Sequence, residues 1–371
     1  MMSKKGMHLL PGLALLFFLI AGGAGNGTSS PHTLPVFINK SSVVSGAGVS
    51  YNGTALDRAG GVPVVDFSTS GYPVPPFPFP AVPVPALLPD ADPVVIPLKR
   101  AGRLYLIEAV IDGVAGNLVF DTGARELLLN KTYFRNHVTS GSVNSSGITG
   151  GVGQVELITA GKVEFAGLAY EKLRAEVTDL AHIENRRGVK ILGLVGFSLL
   201  QKFDLVFDPL NGQLFLYRLD GAGRRNNGVL PPFRADHRQK IPGTGHVVFM
   251  KGMVAGKTLN FCFDTAAETN VISKSAHKSV LSTITITRRA SLKGAGSGTS
   301  EVLFGTMNDF SLGDRKIDNM ETVITSLFAL DEVYNTSLDG VLGYSFFRNG
   351  EMNVNFVTRE VGFRFLKGGD E

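Results

Sequence analysis

With 371 residues, 44% of them apolar, the chain is long enough for two lobes of about 100–150 residues, each with its own core. Its formal net charge of +4 comes from scattered lysines and arginines. The pairs Arg186-Arg187, Arg224-Arg225 and Arg288-Arg289 form no basic stripe interleaved with aromatics, which argues against nucleic acid as a partner. The single cysteine, Cys262, rules out an intrachain disulfide and reads as a small apolar core residue. The histidines His182, His237, His246 and His277 are isolated and lack metal-ligand spacing, so no metal and no cofactor is expected.

The chain begins with Lys4-Lys5, an apolar run from Leu9 to Ile20, and the small residues Ala21-Gly22-Gly23-Ala24-Gly25. The run is short for a spanning helix and contains Pro11, so residues 1–25 read as a signal peptide whose cleavage leaves no stable membrane span. Residues 26–93 read as a leader or spacer, Gly/Ser-rich and then Pro-rich. Pro73, Pro75, Pro76, Pro78 and Pro80 remove backbone donors and favour an extended polyproline conformation, which excludes an interior strand. Export without disulfides fits a periplasmic or extracellular bacterial protein.

From residue 94 onward the apolar runs are short, rich in Val, Ile, Leu and Phe, and punctuated by glycine. That pattern predicts an all-β fold with few short helices, expected around residues 131–137 and 273–281. Phe203-Asp204-Leu205-Val206-Phe207 alternates like a half-buried strand, and Asp208-Pro209-Leu210-Asn211-Gly212 reads as a hairpin turn. The apolar run closing at Phe120 ends in Asp121-Thr122-Gly123-Ala124. The run closing at Phe263 ends, 143 residues later, in Asp264-Thr265-Ala266-Ala267. Each reads as a buried strand delivering a carboxylate onto a tight turn, and two carboxylates at one site can share a proton and act as acid and base.

Three more features repeat in the same order. Residues 103–113 correspond to 246–252, the glycine-rich 148–154 to 292–298, and Leu194-Val195-Gly196 to Val341-Leu342-Gly343. The aspartate-to-glycine intervals are 75 and 79 residues, far too long for a solenoid period and consistent with a duplicated domain. The boundaries read as a first lobe over 94–219, a linker over 220–231 and a second lobe over 232–366.

This ordered set resembles the aspartic-protease superfamily, and each half resembles a retropepsin-like lobe. The shared pattern is a hydrophobic–Asp–Thr–Gly–Ala turn, a glycine-rich flap and a hydrophobic–hydrophobic–Gly segment. The resemblance covers roughly residues 94–366. It implies two acid-protease lobes joined in one chain as a pepsin-like pseudo-dimer with pseudo-two-fold symmetry. It further implies that Asp121 and Asp264 are the catalytic pair, hydrolysing peptide bonds through an activated water. Thr122 and Thr265 would hydrogen-bond across the axis, with Gly123, Ala124, Ala266 and Ala267 completing the turns. Gly150, Gly151, Val152 and Gly153 would form one flap, and Gly294, Gly296 and Gly298 the other. The implied partner is a peptide or protein substrate, and a monomer suffices for the site.

The departures from that pattern have consequences. Pepsin-like lobes often carry a hydroxyl where Ala124 and Ala267 stand; alanine cannot donate to the carboxylate, so the pair should keep its proton up to mildly acidic or neutral pH. Ala266 replaces a glycine, and its methyl is expected to crowd the carboxylate or the substrate. A catalytically inactive peptide-binding protein on the same scaffold is therefore the alternative to an exported aspartic endopeptidase. A surface adhesion protein acting through its proline-rich leader is a third reading. Arg125 and Glu268 replace small residues just after the motif and read as solvent-facing partners of each other or of surface groups.

Overall fold

The computed structural model describes residues 83–366 apart from 125, 148–149, 243–246, 294–298 and 335. The expected signal peptide, most of the leader, Arg125, His246 and the flap glycines Gly294, Gly296 and Gly298 lie outside the described residues.

The first half starts with β1 (Val94–Pro97), β2 (Lys99–Ala101), β3 (Leu104–Ile111) and β4 (Val114–Phe120). Next come β5 (Leu127–Asn130), helix α1 (Lys131–Phe134), β6 (Gly141–Gly147), β7 (Gly150–Phe165) and β8 (Leu168–Thr178). Helix α2 (Ala181–Arg187), β9 (Ile191–Val195), β10 (Phe203–Asp208) and β11 (Gln213–Arg218) complete it. The second half runs through β12 (His237–Lys240), β13 (Phe249–Val254), β14 (Lys257–Phe263), β15 (Asn270–Ser273) and α3 (Lys278–Leu281). It continues with β16 (Ile284–Lys293), β17 (Thr299–Met307), β18 (Phe310–Leu312), β19 (Arg315–Ile317) and β20 (Met320–Thr325). It ends with α4 (Phe328–Tyr334), β21 (Gly340–Leu342), α5 (Tyr344–Phe347), β22 (Gly350–Asn355) and β23 (Glu360–Phe365).

The fold is mostly β, and the sheets of the two halves follow one strand succession. One sheet has the order β2-β3-β4-β9-β5-β8-β7-β6 and is closed on itself by a further β3–β7 pairing. The second, β16-β17-β20-β15-β21-β14-β13-β18-β19, carries the same succession of equivalent strands. Where the first half has the long strands β7 and β8, the second has them broken into β17 with β18 and β19 with β20. The third sheet, β1-β11-β10-β22-β23-β12, takes three strands from each half in mirrored order. At its centre Val206 pairs with Asn353, the residue 147 positions on, as a two-fold axis through that pair requires.

A continuous core crosses between the halves. Phe120 touches Phe207 at 5.7 Å, Phe207 touches Phe347 at 5.5 Å, and Phe347 touches Phe263 at 5.6 Å. This row of rings links the two phenylalanines that precede the aspartates, so the two turns are seated on one apolar body.

Several expectations change here. Strand β10 is buried along its whole length rather than on one face, because it is central to the shared sheet. Its Asp204 is paired inside the sheet with Arg225 at 2.5 Å and accepts a hydrogen bond from the Asn353 amide at 2.7 Å. Helices form at 131–134 and 278–281, within the expected segments, but α2, α4 and α5 had not been expected. Residues of the expected leader also lie against the first lobe: Leu87 bridges Ala169, and Asp92 accepts from the Arg218 N–H at 3.1 Å.

Candidate active site

Each aspartate leaves the end of a strand held by a parallel neighbour. Strand β4 pairs with β9, and the Asp121 N–H continues that ladder to the Val195 carbonyl at 2.9 Å. Strand β14 pairs with β21, and the Asp264 N–H reaches the Leu342 carbonyl at 3.0 Å. The following glycines explain the hydrophobic–hydrophobic–Gly segments. A Cβ on Gly196 would stand 2.2 Å from the Ala124 carbonyl oxygen, and one on Gly343 would stand 2.5 Å from that of Ala267. The backbone of each aspartate turn therefore rests on a residue that has room for no side chain.

Within each turn one carboxylate oxygen is captured by backbone. Asp121 Oδ1 accepts from the N–H groups of Gly123 at 2.9 Å and Ala124 at 3.0 Å. Asp264 Oδ1 accepts from Ala266 at 2.8 Å and Ala267 at 3.1 Å. The Oδ2 atoms of both aspartates are buried with no hydrogen-bond partner among the described residues. Gly123 stands next to both acids: a Cβ there would be 3.0 Å from Asp264 Oδ2 and 3.2 Å from Asp121 Oδ1. The two carboxyls thus face one another across a single turn.

The threonines tie the turns together reciprocally. The Thr122 N–H donates to Thr265 Oγ1 and the Thr265 N–H to Thr122 Oγ1, each at 3.1 Å. Each hydroxyl donates onward to the opposite strand end, Thr122 to the Phe263 carbonyl at 3.0 Å and Thr265 to the Phe120 carbonyl at 2.6 Å. All four bonds are buried, where an unmade partner is costly, so the distance between the aspartates is held firmly.

Burial dominates the electrostatics. It pushes the Asp121 carboxyl up to about 6 against the lowering effect of the turn's N–H groups and the Asp264 side chain. It drives Asp264 well above the usual carboxylate range, aided by the nearby Asp121 charge. Two such groups titrate as a pair that holds one proton over a broad range. The side chains of Ala124 and Ala267 are fully buried in apolar clusters and add no donor to those of the backbone.

Ala266 is accommodated by packing. It is buried in a cluster otherwise built by the first lobe, including Leu104, Leu106, Val119, Ala124, Leu128 and Leu194. Glu268 is not solvent-facing as expected from the sequence; its side chain is 13% exposed and pairs with Arg187 at the end of α2. Arg103 adds a bond to the Glu268 carbonyl at 3.0 Å and a two-pronged pair with Glu321 at 2.6 and 2.9 Å, again joining the lobes.

Gly150, Gly151 and Gly153 fall at the start of β7 and pair with Gly147, Ser146 and Ser145 of β6, with an irregularity between Ser145 and Ser146. Val152 lies in the same strand. Helix α4 of the second lobe lies against β6. Its last residue, Tyr334, donates its hydroxyl to the Gly123 carbonyl at 3.2 Å while its ring meets Phe249 edge-on. Sequence reasoning missed Tyr334 and Arg187, although a signal exists: each stands nine residues before the glycine of its Leu-Val-Gly or Val-Leu-Gly segment. A cavity of about 610 Å³ lies elsewhere, lined by Asp208, Asp236, Asp314, Glu351 and Arg364 among others, and touches neither aspartate turn.

No curated protein matches the chain. Residues 250–346, which hold the Asp264 turn, α4 and the Val-Leu-Gly segment, match the model of a family described as Aspartyl protease, so this part of the second lobe is similar to that family.

Proposed function

We propose that the chain is an exported aspartic endopeptidase whose Asp121 and Asp264 hydrolyse peptide bonds by activating water. One observation carries the reading: two buried aspartates sit on turns locked by four reciprocal threonine bonds, each with one oxygen held by backbone and the other without a partner. The family match over 250–346 supports protease chemistry, and the N-terminal sequence supports export.

In this mechanism Asp121 acts ionised and Asp264 protonated. Asp121 takes a proton from water as the water oxygen bonds to the peptide carbonyl carbon. The carbonyl π electrons move to oxygen, which is hydrogen-bonded by the Asp264 proton. Collapse of the tetrahedral adduct breaks the C–N bond, and the departing nitrogen takes up a proton from the pair. An extended peptide lies between the lobes, under the β6–β7 hairpin. The Ala266 methyl is absorbed by the first lobe's apolar cluster, so the inactive binding protein is not the favoured reading.

The test is cleavage of a peptide mixture by the purified protein over pH 3–8, with and without pepstatin. Asp121→Asn and Asp264→Asn should each lower kcat/KM by about 10²–10⁴-fold, the range for removing a positioned acid or base. Absence of any cleavage across that range would defeat the proposal.

A further inference from the structure

The contact between Tyr334 and Gly123 has chemistry that the endopeptidase mechanism leaves unused. The Gly123 carbonyl that accepts the Tyr334 hydroxyl belongs to the same peptide unit as the Ala124 N–H. That N–H is one of the two that hold Asp121 Oδ1, at 3.0 Å. Donation to a carbonyl polarises its peptide and strengthens the N–H on the other side, so the three groups form a cooperative chain: tyrosine hydroxyl, peptide, carboxylate. Such a chain favours the charged form of the acid at its end.

The second turn is built differently. Arg187 occupies the place equivalent to Tyr334, 147 residues earlier, but its guanidinium pairs with the Glu268 side chain. We propose that Tyr334 is a positioning residue for Asp121, polarising the Gly123–Ala124 peptide so that Asp121 is the member of the pair that ionises first. The proposal rests on the endopeptidase reading for its catalytic meaning, though not for its electrostatics.

Among the described residues, other charges near Asp121 are few. Asp264 faces it from the opposite turn, and Cys262 on β14 is buried close enough to feel its charge. Strand β9 presents Val195 and then Gly196 to the turn, neither titratable. On the far flank, Arg187 of α2 and Glu268 cancel one another. Burial raises both carboxyls, and the Asp121 charge raises Asp264 further.

Tyr334→Phe removes the hydroxyl and keeps the ring against Phe249. In full-length protein labelled with ¹³C at the aspartate carboxyl carbons, the first ionisation of the pair should move up by a few tenths of a pH unit. The acid limb of kcat/KM should move with it. Site-specific 3-fluorotyrosine at 334, a stronger donor of the same shape, should move both the other way. An unmoved carboxyl titration in both variants overturns the proposal, as does a loss of rate or thermal stability with the pH profile unchanged. If the wild-type protein cleaves nothing, the endopeptidase reading fails, while the carboxyl titration still decides the role of Tyr334.

Discussion

Around Asp121 the turn reads Thr-Gly-Ala, and its glycine carbonyl receives a tyrosine hydroxyl from the other lobe. Around Asp264 it reads Thr-Ala-Ala, its alanine is packed into the other lobe, and its flank is closed by Arg187 on Glu268. The backbone cradle of each carboxylate and the threonine exchange are nevertheless the same within a few tenths of an ångström. The two turns agree in what sets the separation of the two acids. They differ in the surroundings that bear on how readily each one ionises.

The symmetrical part can be broken most severely. Thr122→Val leaves the Thr265 N–H and the Phe263 carbonyl without their partners, and Thr265→Val does the same to the Thr122 N–H and the Phe120 carbonyl. At about 1–3 kcal/mol for each buried group left unpaired, either variant should lose about 2–6 kcal/mol in urea unfolding. The losses should be similar, with Thr265→Val the larger because its hydroxyl bond is shorter, 2.6 against 3.0 Å. A loss at one site with none at the other would show that the two turns are not mechanically equivalent.

The divergent part shows in the pH dependence of stability. Asp121 has its carboxyl raised from 3.8 to about 6 in the folded protein, so between those values the native state holds a proton that the unfolded chain has released. Its contribution is fully present below pH 3.8 and is lost as pH rises through about 6, on the order of 3 kcal/mol in all. Asp264, held higher still, should lose its contribution further up the scale. Stability measured from pH 4 to 8 should therefore fall less steeply in Asp121→Asn than in the wild type. Asp264→Asn should flatten the upper part of the curve. Wild-type stability rising steadily between pH 4 and 7, with both variants parallel to it, would contradict the raised carboxyls.

Much of this site is legible in the sequence because close approach restricts what can stand there. Gly196 and Gly343 admit no Cβ, Thr122 and Thr265 must both donate and accept, and each aspartate must follow a buried strand. Those restrictions recur in both halves, so comparing the chain with itself exposes them. Helices α2 and α4 stayed hidden because seven residues make only about two turns, too few for a helical period to stand out. Tyr334 and Arg187 were hidden with them: what matters is which groups of the opposite lobe they reach, and local pattern carries nothing about that. Asp204 is a structural residue whose burial local pattern does not reveal. A charged residue in an alternating run reads as exposed, and only its distant partners Arg225 and Asn353 allow it to be buried.

The smallest expected effect tests the one difference inside the turns themselves. A methyl on Gly123 would come within 3.0 Å of Asp264 Oδ2 and 3.1 Å of its Cγ, closer than ordinary packing, so a carboxyl must shift. Gly123→Ala should therefore lower kcat/KM by about 10-fold, the scale of a misplaced catalytic group that costs about 1.4 kcal/mol. Ala266 already carries its methyl, but among first-lobe side chains that take it up. Ala266→Gly should accordingly change kcat/KM by less than about threefold while losing some stability, because it vacates a packed site and loosens the backbone. If Ala266→Gly instead raised the rate strongly and Gly123→Ala cost nothing, the obstruction would lie at the second turn. The packing of Ala266 against the first lobe would then be a burden on catalysis, in the way the sequence alone suggests.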